Sequence, residues 1–374
     1  MKNTILHVSK YYYPYLGGIE TLVKSLAEGM SAYHNIVVCF ATDGKDSTET
    51  INGITVHRVK VNFSMMSQDV AFGYYLALKR LMEEYQPQYV HVHCPNPYVY
   101  PLVLKAIHLK TKLILHWHSD ILSKGIVYRL IKPFETAILK RANLIVATSP
   151  NYIHPSSPIY KYKEKTDIVQ SGIITSDFEL CNGDEKHIVE IREQYGNKPL
   201  ILFIGRHIPY KGIDWLIEIE RMVKSDCQFI IAGSGPLTER LKQRSISHRI
   251  TFTGRLSSDD LRCYTHAADI FAFTSNTKAE AFGLALAEAM YCRCVPVVFH
   301  LEGSGVNWVS LKGQTGEEVP LGDLQAYANA IDTLLSHPEK MKQYAEASHQ
   351  RVLDMFTDEK AVIKMEGVYQ RLSI

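Results

Sequence analysis

Two doubly wound α/β domains are the architecture that this sequence predicts. Three observations carry the reading. Strand-like and helix-like segments alternate along the chain, a polar stretch at Asn182 to Lys186 interrupts them once, and 374 residues amount to about two and a half domains of ~150.

The first series begins with Thr4 to Val8, a short apolar strand. Gly18 to Met30 follows with helical spacing (Ile19, Leu22, Val23, Leu26, Met30), then β-rich Ile36 to Ala41. Tyr74 to Tyr85 is helical, Tyr89 to Val92 is a buried strand after Pro87, and Pro101 to His108 is helical again. Leu113 to Trp117 and Leu144 to Thr148 are strands around a helix, Ile126 to Leu139, that Pro133 should interrupt. In the second series Leu200 to Ile204, Gln228 to Ala232, Ile250 to Phe252, Ile270 to Thr274 and Val295 to Phe299 read as strands. Helices lie between them, among them Leu237 to Lys242 and Asp259 to His266. The hinge is expected near residues 172–198. Ligands of such folds bind at the carboxyl ends of the strands.

Composition narrows the function. A hydrophobic fraction of 46% and a charged fraction of 21% exclude disorder and coiled coil. The net charge of +2 gives no case for nucleic acid, but residues 1–180 carry net +5 and the remainder net −3. The first half is therefore expected to meet something anionic. No stretch approaches the ~18 uncharged apolar residues of a membrane-spanning helix, and the opening residues read as a strand, not a signal peptide. Seven cysteines without a CxxC pair read as reduced thiols of a cytosol, and no metal site is expected.

The strongest motif is Glu280-Ala-Phe-Gly-Leu-Ala-Leu-Ala-Glu288, a glycine turn leading into a helix. Free N–H groups around Phe282, Gly283 and Leu284 suit an anion, with the helix dipole behind them. Carboxylates beside an anion site suit a ligand that has both phosphate and hydroxyls, as a nucleotide-sugar has. On spacing alone, two solvated helix-end glutamates explain the pair as well. In FIGRHIPYKG (203–212), Arg206 and Lys211 are cations on a loop between Gly205 and Gly212 at a strand's carboxyl end, which suits a diphosphate. Gly233 and Gly235 form a GxG loop that a tight turn would also explain. Gly17 and Gly18 precede the first helix without the full GxGxxG, so a nicotinamide cofactor is not supported. His91, His93, His116 and His118 fall at strand ends, where packing is the commoner role than metal ligation.

Together these residues form a known pattern. The motifs Gly17-Gly18, HVHCPNP (91–97), HWHSD (116–120), ATSPNY (147–152), FIGRHIPYKG, AGSGP (232–236) and the spaced glutamates resemble the family-4 retaining glycosyltransferases across nearly the whole chain. The resemblance implies the GT-B fold, two Rossmann-like doubly wound domains facing a central cleft. It implies an acceptor-binding domain over 1–178 and a nucleotide-sugar donor domain over 179–374, whose last helix crosses back. The implied activity is hexosyl transfer from a GDP- or UDP-sugar to a glycan or lipid-linked acceptor, with retention, in cell-surface polysaccharide synthesis, with no cofactor and no bound metal. Arg206 and Lys211 match the diphosphate clamp, Glu280 the carboxylate on the donor sugar, and Glu288 the one near the ribose. His118 matches the histidine near the reacting centre, with His116 as the alternative. Gly17, Gly18, Gly205, Gly233, Gly235, Phe282, Gly283 and Leu284 are expected to line the donor.

The sequence departs from the family pattern at Arg293, where a glycine is usual, at Ser171 to Ile174, which lacks an Asp, and at Glu302 to Trp308. A nucleotide-sugar epimerase and a non-catalytic nucleotide-sugar binding protein remain alternatives; a dehydrogenase is more distant. Between Lys105 and Arg141 the net charge is +6; Arg129 and Lys132 are interleaved among Ile126, Val127, Tyr128, Leu130, Ile131 and Phe134, with Lys124 just ahead of them. That pattern suits a cytoplasmic protein touching an anionic membrane surface, and equally a solvated basic face.

Overall fold

The computed structural model describes residues 2–15, 17–65, 68–121 and 125–373. The chain divides into two compact units, Met1–Gly172 with Asp358–Ile374, and Ile173–Thr357. The change of unit falls at Gly172/Ile173, ahead of the expected 178, because Ile173 already donates its N–H to Phe356 O at 2.8 Å and bridges to Thr357.

Unit 1 runs β1 (Thr4–Val8), α1 (Gly18–Gly29), β2 (His34–Phe40), β3 (Ser47–Ile51), β4 (Ile54–Val59), β5 (Phe63–Met65), β6 (Gln68–Val70), α2 (Tyr74–Tyr85), β7 (Tyr89–Cys94), α3 (Val99–Ala106), β8 (Lys112–Trp117), α4 (Ile126–Arg141), β9 (Leu144–Ala147) and β10 (Thr166–Ile168). Its main sheet has the order β10-β9-β8-β7-β1-β2-β4-β3, parallel except for the β3–β4 hairpin. The order reverses between β1 and β7. That makes their carboxyl ends the switch point of this sheet. Fully buried strands such as Thr4–Val8 and Tyr89–Cys94 are what a sheet covered on both faces requires, with His7, His91 and His93 set among their apolar residues. The last helix packs here, with Met365, Val368 and Tyr369 in one cluster with Ile5, Leu22, Leu26 and Tyr89.

Unit 2 runs α5 (Asp184–Gln194), β11 (Leu200–Ile204), α6 (Ile213–Met222), β12 (Gln228–Ala232), α7 (Thr238–Arg244), β13 (Ile250–Gly254), α8 (Ser258–Ala267), β14 (Ile270–Phe273), α9 (Leu284–Tyr291), β15 (Val295–Phe299), α10 (Val306–Val309), β16 (Glu317–Val319), α11 (Leu324–Ser336) and α12 (Pro338–Met355). The order β13-β12-β11-β14-β15-β16 is that of a dinucleotide-type doubly wound sheet, all parallel, with its switch point between β11 and β14. The final helix of the chain is α13 (Asp358–Ser373).

Three differences from the sequence expectations have physical causes. Helix α4 continues through Pro133, since Arg129 and Pro133 are both exposed and water can satisfy the carbonyl left without a donor. The β3–β4 hairpin lies in a segment without apolar alternation, and its signal is the turn pair Asn52-Gly53, at φ 49 and 82. At Arg293 the turn is kept with φ 64, in the left-handed region that favours glycine. The Arg293 side chain reaches out to Glu346 at 3.0 Å. Arg293→Gly is therefore expected to raise stability by about 0.5–1 kcal/mol, the left-handed strain relieved less the entropy of a glycine. A denaturant midpoint that falls instead would contradict the strain.

Candidate active site

The unit 2 site is built where the loops after β11 and β14 meet. Thr274 Oγ1 donates to Lys211 O at 2.9 Å, and Asn276 N donates to Tyr210 O at 2.9 Å. Gly212 lies between them at φ 68, and a Cβ there would stand 2.1 Å from Thr274 O, so only glycine allows this approach. Lys211 is thereby aimed along the loop, where its ammonium donates to Glu280 Oε2. Ser275 Oγ donates to the same oxygen at 2.9 Å. The side chains of Lys211 and Glu280 are only 13% and 12% exposed.

This wiring leaves capacity for a ligand. One of three ammonium donors is used by Glu280, and Glu280 Oε1 has no partner among the described residues. Burial pulls the Lys211 pKa down, but the charge and hydrogen bond of Glu280, together with Tyr210 and the Glu288 charge, outweigh it and hold the ammonium above its usual range. Arg206 is exposed and its guanidinium has no partner among the described residues. The two cations thus differ: one is preset by a carboxylate, the other free.

Gly205, Gly233 and Gly235 hold two loops of this site together. Gly205 N donates to Ala232 O, and His207 N to Ser234 O, both at 3.1 Å, so the β11 and β12 loops stay paired beyond their strands. A Cβ on Gly233, at φ 122, would lie 2.0 Å from Gly205 O, and one on Gly235 would lie 2.5 Å from His207 O. Backbone against backbone explains these two glycines. Phe282 is likewise core, 5% exposed and edge-on to Phe356 and Trp308. The turn's leading N–H groups remain: Gly283, at φ 89, caps α9, and Leu286 N donates back to Gly283 O at 3.0 Å, which leaves the N–H groups of Leu284 and Ala285 without an intrahelical acceptor.

Residues that the sequence reading did not single out hold this turn. Ser304 Oγ donates to Glu280 O, Gly305 N donates to Ala281 O at 3.0 Å, and Ser275 orients Glu280. The departure at Glu302 to Trp308 is therefore the buttress of the glutamate turn; serines signal nothing until the fold brings them there. Glu288, one helix turn and more beyond, has its pKa raised to about 7 by burial and by the Asp177 charge, against the pull of Lys211.

In unit 1, His118 stands just past the carboxyl end of β8, while His116 is inside the strand and fully buried. Five imidazoles share one sheet face: His7 on β1, His91 and His93 on β7, then His116 and His118. Burial keeps them neutral, lowering His7 to about 4 and His118 to about 3 and the others well below the ordinary value. Ring nitrogens of His93, His116 and His118 lie within 4.8 Å of one another, as do those of His7, His91 and His93. Both nitrogens of His93 are already hydrogen-bonded to other imidazoles, so an ion at either group would have to displace a bond. Asp120 is structural, accepting from Trp117 Nε1 at 2.8 Å and Ser157 Oγ at 2.9 Å. Gly17 is extended at φ −171 and caps α1, Gly18 begins that helix, and burial raises the pKa of Glu20 beside them. Leu16 and Lys124 lie outside the described residues.

Residues 184–351 match the family model described as Glycosyl transferases group 1, and residues 16–177 that of Glycosyltransferase Family 4. The chain is 28% identical to O-antigen chain mannosyltransferase C of Escherichia coli, over 98% of each chain. It is 26% identical to D-rhamnosyltransferase WbpZ of Pseudomonas aeruginosa, over 94% of this chain and 92% of that protein. Among solved structures, sucrose-phosphate synthase from Thermosynechococcus elongatus has a TM-score of 0.81 at 20% identity, covering 99% of both chains. Anabaena HepE in complex with UDP-glucose has a TM-score of 0.76 at 19% identity, covering 98% of this chain and 99% of that one. These structural likenesses give the fold as GT-B.

The raised Glu288 pKa has a measurable sign. The folded state holds the proton to a higher pH than the unfolded chain, so this group's stabilisation is present below the ordinary 4.5 and is lost as pH rises through about 7. Glu288→Gln, which stays neutral, should gain stability relative to the parent across that window. A difference in melting temperature that stays constant with pH would overturn this.

Proposed function

The chain belongs to the family-4 glycosyltransferases, and from that premise we propose that it moves a hexose-type sugar from a GDP- or UDP-sugar to a glycan or lipid-linked acceptor, with retention of anomeric configuration. The observation that carries this is the Lys211–Glu280 pair at the β11/β14 switch point, with Arg206 free beside it and the α9 N-terminus opening from the same turn. A diphosphate needs fixed positive charge, and a sugar needs an open carboxylate oxygen. Both are offered within one wired cluster.

Breaking the bond between the anomeric carbon and the phosphate oxygen sends its electron pair to the nucleotide diphosphate. Lys211, Arg206 and the first-turn N–H groups of α9 stabilise that charge. Glu280 Oε1 accepts from donor-sugar hydroxyls, and Glu288 from the ribose. The acceptor oxygen then bonds to the anomeric carbon on the face the phosphate leaves, and its proton passes to the departing phosphate oxygen. His118 takes the role that the family resemblance gives its histidine. No metal ion has a part in this scheme. The names of the relatives, an O-antigen chain mannosyltransferase and a D-rhamnosyltransferase, support surface-polysaccharide synthesis as the setting.

Helix α4 supports membrane contact on the cytoplasmic side. Ile126, Leu130 and Phe134, four residues apart, are 78%, 70% and 46% exposed, and Arg129 and Lys132 are exposed among them. Apolar side chains in a stripe flanked by cations suit the interface of an anionic bilayer, where a lipid-linked acceptor would reside.

Variants and vesicle binding test these readings. Arg206→Ala removes an unpaired, exposed cation, so turnover should fall by about 100- to 1000-fold with the melting temperature unchanged. Lys211→Ala should lose as much activity and also destabilise the fold, since it strands Glu280; Glu280→Gln should impair use of the donor sugar more than binding of the free nucleotide diphosphate. Near-normal rates in both cation variants would refute the diphosphate assignment, and so would a strict requirement for a divalent ion refute the metal-free scheme. For the membrane, binding to anionic but not neutral vesicles is expected, weakening as salt rises. Charge reversal at Arg129 and Lys132 should abolish it; equal partition onto neutral vesicles would sink the idea.

A further inference from the structure

A continuous line of hydrogen bonds runs through the buried histidines of unit 1 to His118. Asn35 Nδ2 donates to Met30 O at 2.9 Å, which turns Asn35 Oδ1 towards His7 Nε2, 3.2 Å away. His7 Nδ1 lies 3.3 Å from His93 Nε2, and His93 Nδ1 lies 3.0 Å from His118 Nε2. The ring centroids of His93 and His118 are 5.3 Å apart with an interplanar angle of 8°, and those of His7 and His93 are 5.6 Å apart at 18°. Each separation exceeds its nitrogen–nitrogen distance by about one ring's width, so the bonds run along the rings, in the direction of the N–H and lone pair.

The polarity of this line is set at its far end. A backbone carbonyl cannot donate, so Met30 O fixes the Asn35 amide, and Asn35 Oδ1 cannot donate either. His7 must therefore carry its proton on Nε2. A neutral imidazole has one donor and one acceptor, so His7 Nδ1 accepts from His93 Nε2–H, and His93 Nδ1 accepts from His118 Nε2–H. We infer that Asn35, His7 and His93 are positioning residues that lock His118 in its Nε2–H tautomer, leaving His118 Nδ1 as an acceptor-only group for a sugar hydroxyl. His118 Nδ1 has no partner among the described residues, although the ring is only 7% exposed. The neutrality that the argument requires follows from burial, which holds every ring of the line below its ordinary pKa. His116, stacked 4.2 Å from His118 with neither nitrogen bonded, takes no part in the line and packs its far side. The tautomer stands on the hydrogen-bond geometry and on burial; its use by a sugar hydroxyl rests on the proposed transferase site.

The test is nitrogen NMR on histidine-labelled protein, with His118 assigned by the signal lost in His118→Phe. His7, His93 and His118 should all appear as neutral Nε2–H tautomers at pH 7. Finding His118 as the Nδ1–H tautomer or as a cation overturns the inference, whatever the enzyme does, and so does stoichiometric zinc in the purified protein with His93 among its ligands. Kinetics then test the use of the tautomer. His7→Leu removes the acceptor for His93 and should lower kcat roughly tenfold, the worth of one hydrogen bond, with the KM of the nucleotide-sugar unchanged and with mixed His118 tautomers. His7→Gln, which keeps an acceptor and a donor, should restore both readouts. Mixed tautomers with unchanged kcat would overturn the hydroxyl-accepting role while leaving the line itself standing.

Discussion

The contact on which the unit 2 site depends is the one between the Lys211 ammonium and Glu280. Neither group is well solvated, so each needs the other before any ligand arrives. Because Glu280 is also held by Ser275 and its carbonyl by Ser304, the pair ties three loops into one rigid turn. A site whose charges are fixed in advance loses little energy to reorganisation when negative charge develops on a phosphate. That is the condition for strong electrostatic stabilisation. Arg206, exposed and without a hydrogen-bond or ion-pair partner among the described residues, is held by no such contact.

Close backbone packing is the price of placing those loops. Gly212 against Thr274, Gly233 against Gly205 and Gly235 against His207 each bring main chain to main chain where no side chain fits. Glycines between strand and helix let the loops after β11 and β12 continue the parallel pairing of the sheet beyond its strands.

Unit 1 has a comparable constraint of a different chemistry. Its central strands place five imidazoles in a buried face, where charge is costly and each ring must stay neutral. Neutral rings can be satisfied only by alternating donors and acceptors, so a choice made at Met30 O and Asn35 reaches His118. Such polarity is invisible in the pattern His-x-His, which gives spacing and face but not which nitrogen meets which.

Periodicity by itself determined most of the fold: the mainly apolar runs at Thr4–Val8, Leu200–Ile204, Gln228–Ala232 and Val295–Phe299 are strands with those bounds, since a strand covered on both faces is mostly apolar. The motif order determined the family, and with it Glu280, Lys211 and Arg206 as residues to examine. Polar or short elements escaped, such as β3 and β16, because their stability comes from neighbours and not from local pattern. Only the tertiary structure decided that Lys211 is paired and Arg206 free, that Arg293 bears the left-handed turn, and that His118 and not His116 ends the histidine line. Each of those depends on groups distant in sequence meeting at a few ångströms, and hydrogen bonds and ion pairs are selected at that range, which no one-dimensional spacing encodes.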